Sequence, residues 1–455
     1  MNTGYFCPLC IVPIISDRCE RCGRPADNPK IPLKASPVFK EELQVLADAT
    51  NEPVNMFNSL ELWTTNRYYY YEGRKIFKVT GGNFIEHPKI EWFQNKERLF
   101  KRLKESEKIG EEEYCERVKK ANFFALGTLE EKSTRFIRET VDEYRDKVAY
   151  KAISFSGGKD SSVVSYLVRK ALGSNGILHI FNDTTLENSD TLNYVKDFEE
   201  SERIFLLKAE PQQSFVKLVE RALLPSRIHR WCCTALKTAP IERLLKQILE
   251  PGVKVMMFEG TRREESLRRQ KYEPLELNSK IALQIVVRPV IEWTTLEEWL
   301  YILSEKIPIN DSYRYGMRRV GCSLCPLNSG WSEYVLKSHY PHLARDYIKL
   351  LYKFAKPRDI RVNIADYIAK GQWKTRAGGS SKHQYSLLSE ISTLEEDYKF
   401  IRIGLNKVVK LVNFREYFKP LNKKYEFNSF ESQIGTKTIF LLDSNLLYFF
   451  KGFCS

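Results

Sequence analysis

Eight of the ten cysteines fall into two quartets, and thiols at such spacings in a reducing compartment point to metal binding rather than disulfides. The first quartet is local. Cys7, Cys10, Cys19 and Cys22 read Cys-x2-Cys-x8-Cys-x2-Cys, with Pro8 and Gly23 supplying tight turns. Each knuckle brings two thiolates to one side of a turn, so two knuckles close a tetrahedron around one Zn2+, the pattern of a zinc ribbon. A segment this short cannot fold on its apolar residues alone, so metal binding must supply its stability, on the order of 10 kcal/mol. The second quartet is long-range: adjacent Cys232 and Cys233, then Cys322-x2-Cys325. Four such thiols can hold either Zn2+ or an iron–sulfur cluster. Adjacent cysteines fit poorly around one small ion, whereas a cubane offers separate iron corners, so the chemistry leans toward a cluster. Buried structural thiols are the alternative. Cys115 and Cys454 are left over.

A third constellation is an anion loop. After Ala152-Ile153-Ser154-Phe155 comes Ser156-Gly157-Gly158-Lys159-Asp160-Ser161-Ser162, followed by apolar residues at helical spacing: Val163, Val164, Leu167, Val168, Ala171 and Leu172. Glycines let backbone amides approach an anion, the helix start adds unpaired N–H groups, and Lys159 adds a full positive charge. The spacing is not that of a Walker A loop. The six histidines show no His-x-His or His-Glu-x2-His spacing, so nothing supports a histidine metal site or a hydrolase triad.

These residues need elements to position them. From Ala149 to about Pro326, short β-rich runs alternate with helical patterns, which predicts an α/β fold with a doubly wound, parallel, five-stranded sheet. Strands are expected near 150–155, 177–182, 203–208, 253–259 and 284–289, with chemistry at their carboxyl ends. Around this domain, 148–330, the sequence divides into a zinc ribbon at 1–30 and a β-hairpin and charged helical region at 31–147. A helical basic extension at 331–380 and a small α+β module at 381–455 follow. Arg67 to Phe77 reads as a hairpin turning at Glu72-Gly73, its tyrosines packed on one face or free to stack on bases. Tyr334 to Phe354 reads as an amphipathic helix. The basic stretch from Tyr367 through Trp373, Lys374 and Arg376 to Gly379 reads as a lid or a phosphate contact. A helix near 392–412 and strands near 424–429 and 436–449 are expected beyond it.

The 455 residues are 43% apolar and 29% charged, which excludes a disordered chain and allows several domains. A net charge of +14 favours an anionic partner, nucleic acid or a phosphorylated small molecule. No apolar run approaches the ~18 residues of a membrane span, and the first residues do not read as a signal peptide. A cytoplasmic protein with no membrane partner is expected.

Ser156 to Ser161 resembles the pyrophosphate-binding loop (PP-loop) of the adenine-nucleotide alpha-hydrolase superfamily. The surrounding segment, roughly 148–330, is similar to its phosphoadenosine phosphosulfate (PAPS) reductase branch. Asp183-Thr184-Thr185-Leu186-Glu187 resembles that branch's Asp-Thr-Gly-x-Glu, with Thr185 in place of glycine. Cys232-Cys233 with Lys237 and Pro240 resembles its Cys-Cys-x3-Lys-x2-Pro stretch. Gly260-Thr261-Arg262-Arg263-Glu264-Glu265-Ser266 resembles the segment after its fourth strand. Arg288 to Thr294, Ile307-Pro308-Ile309-Asn310 and Gly321-Cys322 follow in the branch's order.

The resemblance implies a 4Fe-4S cluster on Cys232, Cys233, Cys322 and Cys325 beside an adenine nucleotide. It implies that Ser156, Gly157, Gly158, Lys159, Asp160 and Ser161 cradle phosphates, and that Asp183 and Glu187 contact ribose, adenine or metal. Gly260 belongs to the same nucleotide site, and Lys237, Arg262, Arg263 and Arg268 are candidates for a second anion, since an Arg fork suits phosphate or sulfate. Surface solvation is the plainer reading of those four cations. Lys159, Asp160, Lys237 and Arg262 are the residues expected to serve catalysis.

Two chemistries compete. In one, ATP with Mg2+ is cleaved to AMP and pyrophosphate, activating a substrate for sulfur transfer, on nucleic acid, with a sulfur or electron donor protein as partner. In the other, a sulfonucleotide (PAPS or adenylyl sulfate) is reduced and sulfite released. The full Ser-Gly-Gly-Lys-Asp-Ser loop resembles members that cleave ATP. The reductases' Glu-Cys-Gly-x-His nucleophile segment has no match, Cys454 lacking its neighbours. An inactive scaffold that binds nucleotide and nucleic acid is a third reading.

Overall fold

The computed structural model describes residues 3–26, 29–105, 108–222, 224–355 and 362–374, with four strands between 401 and 453. The chain divides into two compact units. One comprises Met1–Ser214 and Cys232–Tyr347, the other Phe215–Trp231 and Ile348–Ser455.

The first unit is built on a six-stranded sheet in the order Phe205–Ala209, Ile177–Asn182, Val148–Phe155, Lys254–Phe258, Gln284–Val287, Leu275–Glu276. The first five strands are parallel, with Ile153 opposite both His179 and Phe258. They are the five strands expected. The sheet departs from a purely parallel one at Leu275–Glu276, an antiparallel edge of two residues, too short to leave a periodic signal. Gln284–Val287 is buried at every position, as befits a strand covered on both faces. Successive strands run outward in opposite directions from Val148–Phe155, so a crevice opens between its carboxyl end and that of Lys254–Phe258.

Two helices fix that crevice. Lys159–Leu172 buries Val163, Val164, Leu167 and Val168 against the sheet and stops at Gly173. Thr295–Glu305 starts with a capping box, Thr294 with Glu297, and buries Leu296, Trp299, Leu300 and Leu303. The same core takes in Tyr114, Val118 and Ala121 of helix Glu111–Ala121 and Val12, Ile14 and Cys19 of the N-terminal segment. That segment is a three-stranded antiparallel sheet in which Thr3–Cys7 lies between Val12–Ile14 and Lys30–Pro32.

Five strands within 36–92 form an antiparallel sheet, more than the single hairpin read from the sequence, with helix Lys40–Thr50 between the first two. Glu72 and Gly73 both take positive φ, as a two-residue hairpin turn requires. Tyr69, Tyr70 and Tyr71 are buried, so the tyrosine run packs a strand. Tyr68 is half-buried against Phe93, with the Lys75 and Lys78 ammoniums over its ring.

In the second unit, Phe215 stacks on Trp231, and Arg227 N–H donates to the Lys374 carbonyl at 2.8 Å. Its sheet runs in the order Ile401–Leu405, Leu446–Phe453, Thr436–Asp443, Glu426–Glu431. Ile401–Leu405 corrects the helix expected near 392–412. Ile401, Ile403 and Leu405 alternate at the period of a strand and pair with Tyr448 to Gly452. The remainder of that span, with Arg376, Gly379 and Cys454, lies outside the described residues.

Candidate active site

The loop after Val148–Phe155 turns on Gly157, at φ +69°. A Cβ there would also sit 3.0 Å from Val195 Cγ2. Ser161 Oγ accepts from Ser156 N–H at 3.2 Å and donates to the Gly158 carbonyl at 2.7 Å, closing the loop on itself. The Tyr313 hydroxyl accepts from Lys159 N–H at 3.0 Å, and Asn310 Nδ2 donates to the Gly157 carbonyl at 3.2 Å. Ser162 turns inward to the Tyr194 hydroxyl at 2.8 Å.

Beneath the loop lies a cluster of charges. Lys159 Nζ lies 2.8 Å from Asp160 Oδ2 and donates to Glu298 Oε2, and Arg262 Nε donates to Asp160 Oδ1 at 2.7 Å. Arg262 Nη1 donates to Glu264 at 2.6 Å, and Arg262 Nε lies 3.3 Å from Glu298. Burial opposes ionisation of Asp160, yet Lys159 and Arg262 outweigh it and hold the carboxyl well below its usual range. Burial dominates at Glu298 and, against Arg262 and Lys159, raises its pKa to about 7. Gly260 brings the fourth-strand loop against this cluster: a Cβ on it would lie 2.6 Å from the Asp160 carbonyl carbon.

The crevice is a cleft of about 740 Å³ lined by Ser156, Gly158 to Ser161, Lys237, Gly260, Arg262, Arg268, Arg269, Arg318 and Arg319, among others. It carries the cations needed to bind an elongated polyanion. Arg263 is not among its lining residues; its guanidinium donates to the Tyr272 carbonyl at 3.2 and 3.1 Å and pairs with Glu292.

At the second-strand end, Asp183 accepts from Thr185 N–H at 2.8 Å. Thr185 takes φ +64°, the left-handed conformation that favours glycine. Glu187 accepts from Thr184 N–H at 2.9 Å and from its hydroxyl at 2.6 Å, while Thr184 Oγ1 lies 3.3 Å from Cys322 Sγ. Cys233 leads into a π-helical turn, Thr234–Thr238, whose Leu236 carbonyl accepts from Asn182 Nδ2 at 2.7 Å. Ser323 N–H donates to the Leu186 carbonyl at 2.8 Å. Those two bonds bring Cys232, Cys233, Cys322 and Cys325 to one strand end. Hydrogen bonding to Cys233, burial and the charges of Cys233, Cys322 and Cys325 push the Cys232 thiol up. The negative charge of Cys322 raises the Lys237 pKa against the effect of burial. Cys232 lies close enough to Cys233, Cys322 and Cys325 for their charges to act on it, and four cysteines are a donor set suited to a metal group.

The N-terminal quartet is tighter. All four sulfurs lie within 4.8 Å of one another, with Cys7 to Cys22 at 3.5 Å and Cys10 to Cys19 at 3.7 Å. Ligands at about 2.3 Å from a tetrahedral zinc would be separated by about 3.8 Å, so the set fits a metal ribbon.

Sequence reasoning missed Glu298, Tyr313, Arg269, Arg318 and Arg319. Only Glu298 carried a signal, as a carboxylate inside the apolar stretch Leu296 to Leu303.

Residues 151–328 match the family model of the phosphoadenosine phosphosulfate reductase domain. That segment is similar to a PAPS reductase domain. The domain carries the PP-loop, the second-strand acid pair and the second cysteine quartet. The chain is 31% identical over 263 residues to an uncharacterized protein of Methanocaldococcus jannaschii, covering 58% of this chain and 53% of that one. It is 28% identical over 195 residues to an adenosine 5'-phosphosulfate reductase of Bacillus mycoides, covering 42% and 77%. The chain thus spans about half the length of the Methanocaldococcus relatives, 53% and 56%. Among solved structures, a PAPS reductase from Candida auris aligns at 16% identity and a TM-score of 0.32, over 43% of this chain and 93% of that one. Among the described residues no helix is long and apolar enough to cross a membrane.

Proposed function

We propose that this chain binds ATP on its PP-loop and cleaves it to AMP and pyrophosphate, activating a substrate for sulfur transfer on nucleic acid. The observation that supports this best is one arrangement: an intact Ser-Gly-Gly-Lys-Asp-Ser loop shares one cleft with Cys233, Lys237 and Gly321, the last of which precedes Cys322.

In this reading the loop amides and the Ser156 and Ser161 hydroxyls hold the pyrophosphate, with Mg2+ offsetting its charge. A substrate oxygen attacks the α-phosphorus, the bond to the bridging oxygen breaks, and its electron pair leaves with pyrophosphate. Reduced sulfur from a sulfide-level donor then displaces AMP, which departs with the substrate oxygen. Arg262 keeps Asp160 ionised under the loop, and Lys237, Arg268 and Arg269 face the developing charge. Cys232, Cys233, Cys322 and Cys325 would hold a 4Fe-4S cluster, which when bound supplies a site for sulfur or electron delivery. Cys7, Cys10, Cys19 and Cys22 would hold Zn2+ as a structural element.

A second reading, sulfonucleotide reduction, is favoured by the 28% identity to an adenosine 5'-phosphosulfate reductase. Product analysis separates the two. AMP and pyrophosphate formed from ATP only when transfer RNA or DNA is present support sulfur transfer. Sulfite released from a sulfonucleotide supports reduction, and neither product supports a binding scaffold.

A further inference from the structure

We propose that Glu298 is a built-in counter-ion that holds the Lys159 ammonium until a nucleotide's phosphate chain displaces it, so that nucleotide binding takes up a proton at Glu298. The proposal rests on the nucleotide-binding reading of the cleft and deepens it.

Glu298 is 0% exposed and sits in the first turn of a helix whose other buried side chains include Leu296, Trp299, Leu300 and Ile302. A first-turn carboxylate suits the helix dipole, but an exposed one would serve that purpose, and burying one without compensation is costly. Its Oε2 is satisfied by Lys159 and lies 3.3 Å from Arg262 Nε, whereas Oε1 has no partner although it is buried. Glu298 therefore serves the loop rather than the core.

The titratable groups facing it come from three elements. Lys159 and Asp160 approach from the loop helix, Arg262 and behind it Glu264 from the fourth-strand loop, and Tyr313 from helix Asp311–Arg314. On its own helix, Glu297 is turned away to cap Thr294 N–H at 2.7 Å. With every group ionised the cluster holds three carboxylates against two cations, an excess of one negative charge beneath a site meant for anions. A bound phosphate chain adds more. Neutralising that excess by protonation requires a carboxyl that titrates near neutrality. Asp160 is held far below that range, while Glu298 is raised to about 7. If Lys159 turns to phosphate, Glu298 loses an influence that lowers its pKa and keeps the Asp160 charge that raises it, so the proton goes to Glu298.

The test is calorimetric titration with the α,β-methylene analogue of ATP and Mg2+, in pairs of buffers differing in ionisation heat, from pH 7 to 9. The wild-type protein should take up as much as one proton per nucleotide, and its affinity should fall by up to about tenfold per pH unit above about pH 7. Glu298→Gln should still bind but lose both the uptake and the slope. Glu297→Gln, in the same turn, should keep both. Wild-type binding without proton uptake, or uptake that survives in a folded Glu298→Gln protein, overturns the counter-ion role and leaves nucleotide binding standing. No binding by wild type overturns both. The wild-type slope alone decides the matter if the Gln variant does not fold.

Discussion

Arg262 Nε donates to Asp160 Oδ1 at 2.7 Å, and this single contact joins the loop after the first strand of the sheet to the loop after the fourth. Both side chains belong to a largely buried network, so removing the guanidinium takes one cation from Asp160, Glu264 and Glu298 together. Arg262→Ala should cost about 3–5 kcal/mol in denaturant unfolding, and Arg262→Lys should recover only part, because a single ammonium cannot reach the carboxylates an Arg fork spans.

Gly260 is required by backbone proximity rather than by φ. A methyl group there meets the Asp160 backbone, which has no rotamer to move. Gly260→Ala should push the two loops apart and reduce affinity for ATP by at least about tenfold, the effect of roughly 1.4 kcal/mol, as read by equilibrium binding. Unchanged affinity would contradict the close approach.

The cluster also sets a pH dependence. The depressed pKa of Asp160 gives stability that is complete above the ordinary carboxylate range and lost as pH falls through and below it. Glu298 acts with the opposite sign. Its pKa is raised from 4.5 to about 7, so the folded state binds the extra proton between those values and stability falls as pH rises across that window. Thermal unfolding of Glu298→Gln should lack the decline between pH 4.5 and 7 that the wild type shows.

The parts of the site that were legible in the sequence were those set by backbone chemistry. Gly157 announced the loop because few other residues permit its turn, and the five parallel strands announced themselves by apolar runs. Thr185 was visible as an oddity, and its positive φ shows what the position demands. Tyr313 and Arg318 were illegible, because a four-residue helix, Asp311–Arg314, and a loop arginine leave no periodicity and their partners lie far along the chain. Ile401–Leu405 was misread as helix because a short alternating run embedded in a charged stretch also fits a helical face.

Arg318 gives a further prediction. Both its terminal nitrogens donate to Glu42, which is fully buried and also accepts from the Tyr69 hydroxyl at 2.5 Å. A Cβ on Gly316 would come within 2.8 Å of the same carboxylate, so the loop 316–321 is seated on it. Arg318→Ala should destabilise by about 3–5 kcal/mol, and adding Glu42→Gln should return part of that loss, as a double-mutant cycle would measure.

Metal content checks both cysteine sets. Anaerobically purified protein should contain one zinc and about four irons with matching sulfide. Cys19→Ser should lose the zinc alone and Cys322→Ser the iron alone. Two zincs without iron would rule out the cluster.

The most direct measurement of the central proposal is the site of ATP cleavage in a single turnover, with the anaerobic holoprotein, Mg2+, nucleic acid and a sulfide donor. The proposal predicts AMP and pyrophosphate in equal amounts, dependent on nucleic acid and reduced by Gly260→Ala at ATP concentrations below saturation. ADP with inorganic phosphate, or intact ATP alongside sulfite released from a sulfonucleotide, would contradict it.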